Sequence, residues 1–428
     1  MTVYQPPTGA RDLLPIDVAQ KRWIEKRLQG VFQRWGYHRI ITSTLERLDT
    51  LVAGGAVRRS TTIQFQDAED EVLGLRPELT ASIARTVVTR MDGTTFPQRL
   101  YYNANVFRRD LEGGHGQQHE FYQAGVELLG AGGVAADAEI LLLLADCLAS
   151  LGLPHSSVIL GEAGLTRSLL EPFPESLREP VREAIAHLDR VTLETLPMSD
   201  KLRDRALFLF DLRGRPADVL QRLSPLDLDP AARQTLNDLK SLVDLLASHD
   251  ALNGEGTPAG NTSTFESWVL DLSLIQTFDY YTGIVFKVVG ALDSGAQILG
   301  QGGRYDRLLG LYHPQGEDSP GIGFSWNIED LHRVLKPTGQ LPDRTPTSHW
   351  LVVPKTPSAR AATFAYARKL RESTHLVRVE VELDLRETPA ATRDYARDRR
   401  ISQIAWIDAD GTPEIETLTQ ETQPQPVE

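Results

Sequence analysis

The sequence lacks the features that define several large classes of protein. Its 428 residues include a single cysteine, Cys147, so an internal disulfide is excluded and a cytoplasmic location is expected. The longest aliphatic run, Ile140–Ala145, has six residues, whereas a membrane-spanning helix needs about 20. No basic segment followed by an apolar stretch opens the chain, so an export signal is not expected. His115 and His119 have neither further cysteines nor a second histidine pair to complete a metal site, and no metal is expected.

Basic charge is also scarce. The 45 lysines and arginines are outnumbered by 58 aspartates and glutamates, which gives a net charge of −13. The chain therefore lacks the diffuse positive field that supplies most nonspecific affinity for nucleic acid. This balance is ordinary for a soluble protein, and the sum alone does not exclude a local basic groove. We expect neither a nucleic-acid partner nor a membrane partner.

The chain is long enough for two or three typical domains of about 150 residues each. Its composition, 41% hydrophobic and 24% charged, is that of a soluble globular protein. The pattern predicts a core over 1–335, interrupted over 165–264 by a mostly helical insertion and a Gly/Thr/Asn linker. A Pro/Gly-rich stretch marks the second boundary. Alternating strand and helix patterns over 347–428 predict a small C-terminal α/β domain with parallel strands and a frayed tail.

Helical spacing is clearest near the start of the chain. Ile24, Leu28 and Phe32 recur every four residues, which predicts a helix with one apolar face. Asp17 is the predicted N-cap, and Gly36 is the predicted stop.

A carboxylate and a hydroxyl lie close together in the segment Leu75-Arg76-Pro77-Glu78-Leu79-Thr80. If the chain is extended here, Glu78 and Thr80 project on the same side, an arrangement that suits an ammonium group. The alternative is the N-terminus of a helix, with Thr80 facing solvent.

A second segment places polar side chains on one face of a predicted strand, Gln123-Ala124-Gly125-Val126-Glu127. Gln123 and Glu127 on an interior face are costly unless they bind something polar. Arg108, upstream of this strand, is a candidate clamp for a carboxylate or phosphate.

Two further segments combine tyrosines with glycines. Tyr280 and Tyr281, followed by Gly283, offer a ring wall and a hydroxyl to a ligand, or are two partly buried aromatics at the start of a strand. Gly300–Gly303 predicts a glycine-rich turn that leads to Tyr305. The segment lacks the Lys-Ser/Thr pair of a P-loop and is not one.

In this order and spacing, the four segments resemble the catalytic core of histidyl-tRNA synthetases, and the opening Gly9-Ala10-Arg11-Asp12 fits the same family. The resemblance covers roughly residues 4–335 apart from the helical insertion, and looser similarity continues to about 410. It implies an α+β fold, the class II synthetase core, in which an antiparallel sheet is flanked by helices. It also implies a dimer formed through the N-terminal part.

The resemblance further implies a histidine-binding pocket, because residues of the family's own kind stand at its positions for the α-ammonium, the imidazole edges and the pocket wall. They are Glu78, Thr80 and Gln123 for the ammonium, Glu127 and Tyr281 for the imidazole, and Tyr280 and Tyr305 for the wall. Arg108 completes the expected set.

The arginines with which these synthetases bind ATP are not retained in this sequence. Gln276 and Asp330 stand where the family has arginines that act on the ATP phosphates. The two arginines of the family's motif 2 loop fall on Gln117 and His119, and residues 241–303 contain no arginine. Losing one positioned donor to a developing anion costs about 10² to 10³ in rate. We therefore expect a pocket that binds histidine without activating it.

A synthetase paralogue with this combination resembles the regulatory subunits of ATP phosphoribosyltransferase. The resemblance implies a noncatalytic subunit that pairs with a short-form catalytic subunit, is required for its activity and transmits histidine feedback at the first step of histidine biosynthesis. It also implies a dimer within a mixed oligomer, usually four plus four, and no cofactor. Two alternatives stay open, a true histidyl-tRNA synthetase with divergent arginines and a stand-alone module that binds histidine or tRNA. The 11 basic and 13 acidic residues of 347–428 do not favour a tRNA-gripping domain.

Overall fold

The computed structural model divides into two compact units, Met1–Pro342 and Asp343–Glu428. The structure describes residues 4–7, 9–55, 57–91, 93–109, 118–153, 156–254, 268–274, 281–292, 295–373, 376–383 and 386–418. The frayed tail that the sequence predicts, and most of the predicted Gly/Thr/Asn linker, lie outside these ranges. Within them, no helix has both the length and the apolar character that a membrane crossing requires.

The helices of the first unit flank a large sheet and fill the predicted insertion. Their bounds are α1 Pro15–Arg34, α2 Leu48–Val52, α3 Thr80–Arg90, α4 Gly133–Leu151, α5 Ala163–Leu170, α6 Glu175–Ala186, α7 Arg190–Thr195, α8 Asp200–Phe210, α9 Pro216–Leu223, α10 Pro230–Gly254, α11 Leu308–Tyr312 and α12 Ile328–Leu335. Short 3-10 turns lie at Arg59–Thr61 and Lys336–Thr338.

The strands of the first unit form two sheets. Their bounds are β1 His38–Arg39, β2 Leu45–Arg47, β3 Gln64–Gln66, β4 Val72–Leu75, β5 Gln98–Phe107, β6 Glu120–Leu129, β7 Ser157–Glu162, β8 Arg213–Gly214, β9 Val269–Asp271, β10 Ile284–Leu292, β11 Gly295–Arg304 and β12 Gly321–Asn327. The large sheet has the order β1-β5-β6-β12-β11-β10-β7-β9-β8, and the small sheet has the order β2-β4-β3. The central pairs from β5 to β7 are antiparallel. This confirms the predicted class II architecture.

Helix α1 buries the predicted apolar face, since Ile24, Leu28 and Phe32 are fully buried. Gly36 follows the helix in the left-handed region, as expected of a stop signal. The prediction for Asp17 was wrong, because the helix begins at Pro15. Proline suits the first turn, and the Asp17 carboxylate accepts the backbone N–H of Leu14 at 3.0 Å from inside that turn.

The predicted turn at Gly300–Gly303 was also wrong, because these residues lie within strand β11. A Cβ on Gly303 would lie 2.7 Å from both the Ile284 carbonyl oxygen and the Tyr281 ring. A Cβ on Gly302 would meet the side chain of Phe324 in the neighbouring strand. The glycines are therefore present because neighbouring groups fill the space a side chain would take, and not because the chain turns.

The second unit has a parallel core with a helix on each face. Its strands are β13 Trp350–Pro354, β14 Val379–Val381, β15 Gln403–Ile407 and β16 Pro413–Thr417, and its helices are α13 Arg360–Arg371 and α14 Pro389–Asp398, with a 3-10 turn at Pro357–Ala359. Strands β14 and β15 pair in parallel with β13, whereas β16 adds antiparallel at one edge. The predicted small α/β fold is confirmed, and β16 was not anticipated.

Candidate functional site

A polar cavity of about 450 Å³, partly open to solvent, lies on one face of the central strands of the large sheet. It is bounded by strands β5, β6, β11 and β12, by the start of α3 and by the segment that leads into β10. Its lining residues are Glu78, Thr80, Tyr102, Arg108, Gln123, Glu127, Tyr281, Gln301, Gly302, Tyr305, Gly323, Phe324 and Ser325. Seven of the eight residues predicted from the sequence are therefore brought together. The eighth, Tyr280, lies outside the described residues.

Strand β6 supplies the floor of this cavity. Gln123 and Glu127 are both buried, and they share a face of the strand with Gly125. Gly125 makes room for the neighbouring ring, because a Cβ there would lie 2.6 Å from the Tyr102 hydroxyl. The antiparallel partner of Glu127 on β12 is Gly323, where a Cβ would collide with the Glu127 carboxylate and with the Val126 carbonyl oxygen. Glycines on both strands thus leave space for polar side chains.

The Glu127 carboxylate is the most deeply placed charge-bearing group of the site, with 1% of the residue exposed. Its Oε1 accepts a hydrogen bond of 2.7 Å from the Thr80 hydroxyl, and its Oε2 accepts one from the Tyr305 hydroxyl. Burial raises the pKa of Glu127 to about 8, with a smaller upward contribution from nearby Glu78, and the two hydroxyls oppose that rise. A ligand that brings a positive charge or an N–H donor would therefore stabilise the charged form of Glu127.

Glu78 lies two residues before the first residue of α3 and also faces the cavity. Its carboxylate accepts the backbone N–H of Thr80 at 2.6 Å and of Ala81 at 3.0 Å, as a negative group at a helix N-terminus should. The helix-terminus alternative was therefore correct for the backbone, but its solvent-facing Thr80 was wrong, because that hydroxyl donates to Glu127. Burial raises the pKa of Glu78, and the charge of Arg108 lowers it.

Arg108 is the one cation among the described residues that line the cavity. Its Nε donates to the Pro77 carbonyl oxygen at 3.0 Å, and its guanidinium lies 5.0 Å from the centre of the Phe121 ring. Two acidic side chains and one guanidinium therefore line the cavity. Such a lining suits a ligand with an ammonium, a carboxylate and further N–H groups, and a single cation cannot neutralise a triphosphate.

Tyr281 and Tyr305 form part of the wall of the cavity. Tyr281 is 6% exposed and Tyr305 is 2% exposed, so both rings are buried. Tyr281 packs against the bare backbone of Gly303, and a Cβ on Gly321 would collide with the ring of Tyr305. The two rings therefore occupy space that glycines in the adjoining strands leave open.

Three polar lining residues were not predicted from the sequence, namely Tyr102 on β5, Gln301 on β11 and Ser325 on β12. The hydroxyls of Tyr102 and Ser325 are hydrogen-bonded to each other, and burial raises the pKa of Tyr102 well above its usual value. Gln301 lies among glycines in strand β11, where the sequence predicts a turn. A polar residue among glycines could have indicated a site residue, but its position at the cavity follows only once the strand pairing is known.

Two of the positions expected to lack phosphate-binding cations can be placed. Asp330, in the first turn of α12, pairs with Arg333 at 2.9 Å, and Arg333 also lies 3.4 Å from the Gln297 side-chain oxygen. The ring of His119 lies 3.0 Å from the Arg108 carbonyl oxygen. Gln276, Gln117 and His115 lie outside the described residues. Within the described residues, no group of three or more His, Cys, Asp or Glu side chains is arranged for a metal ion.

The raised pKa of Glu127 predicts a pH-dependent stability that Glu127→Gln should remove. The folded protein holds the carboxyl proton up to about pH 8, whereas the unfolded chain releases it near its ordinary value of 4.5. Stability from this group is thus complete below pH 4.5 and is lost as the pH rises toward 8. We expect the ligand-free glutamine variant to be close to the wild type in stability at pH 4.5 and to be more stable by about 4 kcal/mol at pH 8. Urea unfolding at both pH values measures this, and equal differences at both would contradict it.

Comparison with known proteins agrees with this geometry. The family model for histidyl-tRNA synthetase matches residues 9–331. The chain is 65% identical over 416 residues, which is 97% of this chain and 100% of the relative, to an ATP phosphoribosyltransferase regulatory subunit of Nostoc punctiforme. It is 59% identical over 417 residues, 97% of this chain and 99% of the relative, to the protein of that name from a Cyanothece species. The chain belongs to the ATP phosphoribosyltransferase regulatory subunit family.

Solved structures place this family on the synthetase fold. A structure described as an ATP phosphoribosyltransferase regulatory subunit/histidyl-tRNA synthetase from Bacillus halodurans has a TM-score of 0.76 at 26% identity, with 95% of this chain and 98% of that chain covered. A histidyl-tRNA synthetase from a Nostoc species has a TM-score of 0.70 at 18% identity, with 97% and 94% covered. The predicted resemblance is confirmed, and the family name is that of a regulatory rather than a catalytic subunit.

Proposed function

We propose that this chain is the histidine-sensing, noncatalytic subunit of a cytoplasmic ATP phosphoribosyltransferase. In this proposal it pairs with a short-form catalytic subunit, whose activity requires it, and it transmits feedback inhibition by histidine at the first step of histidine biosynthesis. It forms a dimer within a mixed oligomer of four plus four subunits. The observation that carries the proposal is the buried Glu127 carboxylate at the base of a cavity with matching polar walls.

The chemistry of the lining supports histidine as the ligand. Glu127 can accept an imidazole N–H, and the Tyr281 ring lies on the same cavity. Glu78 and Gln123 can accept from the α-ammonium, since the carboxylate oxygens of Glu78 retain lone pairs beyond those used by the helix amides. Arg108 supplies the cation for the α-carboxylate. Each charged part of the amino acid thus has a partner of opposite sign.

The charge distribution supports a binding role without adenylation. ATP would bring at least three negative charges into a cavity in which Arg108 is the one lining cation among the described residues. Arg333, the cation nearest in sequence to the lost position at Asp330, has its charge paired with that aspartate. A synthetase that loses the arginines that bind the ATP phosphates is expected to react more slowly by a factor of about 10⁴ or more. Each donor removed costs on the order of 10² to 10³ in rate.

A reconstitution experiment tests the proposal. The short-form catalytic subunit should transfer phosphoribosyl groups to ATP only when this chain is added, and histidine should suppress the reconstituted activity. The purified chain should show no histidine-dependent exchange of pyrophosphate into ATP. Robust exchange would instead favour the synthetase alternative, and full activity of the catalytic subunit alone would contradict the regulatory role.

A further inference from the structure

Helix α5, the first helix of the insertion, starts beside the wall of the amino-acid cavity. Glu162, the last residue of β7, is paired in register with Ile284, the first residue of β10. The next residue, Ala163, donates its backbone N–H to the Gly283 carbonyl oxygen at 2.9 Å. The Glu162 carboxylate accepts the Leu165 N–H and so begins the helix. The insertion therefore leaves the sheet directly next to the segment that carries Tyr281.

Two side chains of α5 contact backbone carbonyl groups, one within that segment and one upstream of it. Arg167 Nη1 donates to the Tyr281 carbonyl oxygen at 3.1 Å. The Thr166 hydroxyl lies 3.0 Å from the Leu272 carbonyl oxygen. Leu272 is itself tied to the insertion, because its N–H donates to the Leu212 carbonyl oxygen at 3.2 Å. Helix α5 therefore contacts the cavity wall at Tyr281, and it also contacts Leu272, which is hydrogen-bonded to Leu212 of the insertion.

The position of the Tyr281 ring depends on the carbonyl that Arg167 holds. The ring lies against Gly303 with no room for a Cβ between them, and the following N–H, that of Thr282, donates to the Arg304 carbonyl oxygen at 2.8 Å. A ring confined in this way cannot keep its place if its own backbone shifts. The donor to the Tyr281 carbonyl therefore helps to set the shape of the cavity.

We propose that Arg167 is a positioning residue that couples the helical insertion to the amino-acid cavity. Its guanidinium donates to the cavity wall at Tyr281, while α5 itself belongs to the insertion. Any contact of the insertion with another subunit that shifts α5 then changes the affinity of the cavity, and ligand in the cavity changes that contact by the same factor. This coupling rests on the proposed function, and it assigns the regulatory path to a named side chain.

The test compares Arg167→Met with a matched control, Arg178→Met. Arg178 is also an exposed arginine of the insertion whose guanidinium donates to backbone carbonyls, those of Phe173 and Glu171 at 2.9 Å, but it does not touch the cavity wall. Calorimetry with L-histidine is carried out on each full-length protein, free and assembled with the short-form catalytic subunit. Thermal unfolding of each variant reports any general loss of stability.

Removal of one hydrogen bond from a charged donor predicts an affinity loss of roughly three- to tenfold in the free Arg167→Met protein, with no change in Arg178→Met. The ratio of the free and assembled affinities should move toward one in Arg167→Met alone. Arg167→Lys, which retains a charged donor, should recover most of the loss. The loss should persist in 0.5 M salt, since a direct hydrogen bond is screened much less than a long-range charge effect.

The outcomes separate this inference from the proposed function. A wild-type chain that binds no histidine would overturn both. A wild-type chain that binds histidine, with Arg167→Met equal to wild type in affinity and in the ratio, would overturn the coupling and leave the histidine site intact. An equal loss in both methionine variants would assign the effect to the stability of the insertion and would also overturn the role of Arg167.

Discussion

Glu127→Ala is expected to lower the affinity for histidine by a factor of about 10² or more. The substitution removes the buried acceptor at the base of the cavity, and it leaves the hydroxyls of Thr80 and Tyr305 without their shared partner. Truncating one member of a buried, hydrogen-bonded polar pair costs about 2 to 5 kcal/mol, most of it from the group left unpaired. Calorimetric titration of the full-length variant with L-histidine measures the effect.

The control for Glu127→Ala is assembly. Glu127 lies in the interior with 1% exposure, so it cannot form part of a surface that a partner covers. The variant should therefore still bind the short-form catalytic subunit and activate it, while histidine no longer inhibits. Unchanged histidine affinity in a correctly assembled variant would refute the assignment of Glu127 and move the ligand to another part of the complex.

Gly323→Ala is expected to damage both stability and binding. The added Cβ would collide with the Glu127 carboxylate and with the Val126 carbonyl oxygen, and the second atom belongs to the backbone of the neighbouring strand. A side chain could rotate away, but a paired strand must shift as a whole. Overpacking of this kind costs about 1 to 3 kcal/mol, sometimes more, and we expect the upper end because the contact lies in the centre of the large sheet.

Gly30→Ala serves as the matched control for this substitution. Gly30 lies within α1 and a Cβ there would have one neighbour, Arg34 Nη1, at an ordinary 3.5 Å. Alanine in a helix interior is favoured over glycine by about 1 kcal/mol, so the control should be neutral or slightly stabilising. Urea unfolding compares the two variants. A Gly323→Ala protein as stable as Gly30→Ala, with wild-type histidine affinity, would show that the strand spacing does not depend on this glycine.

Local sequence patterns predicted the elements of the fold whose environment is regular. The spacing of Ile24, Leu28 and Phe32 located the buried face of α1, because one side of that helix packs against α4, α12 and β6. The position of Asp17 in the helix was missed, because an acidic residue in the first turn and one at the N-cap have the same composition. Only the hydrogen bond that the Asp17 carboxylate accepts from the Leu14 backbone N–H distinguishes these two positions.

Site residues were harder to predict from the sequence where their role depends on a neighbouring strand. Gly303 is glycine because Tyr281 and the Ile284 carbonyl oxygen fill its side-chain space, and neither is close to it in sequence. Tyr102 and Gln301 face the cavity only because β5 and β11 have the register they do. Seven of the eight site residues predicted from the sequence nevertheless line the cavity, because a resemblance to a family carries long-range relations that periodicity cannot.

The position of Glu78 just before α3 has a consequence for how tightly the proposed site would hold an amino acid. The carboxylate is held by two amides before any ligand arrives, so no rotamer of that side chain has to be frozen when an ammonium docks. In the proposed site, the ammonium of an arriving amino acid would meet a carboxylate that is already in place. A group held in this way favours binding, because less side-chain freedom is lost when the ligand docks.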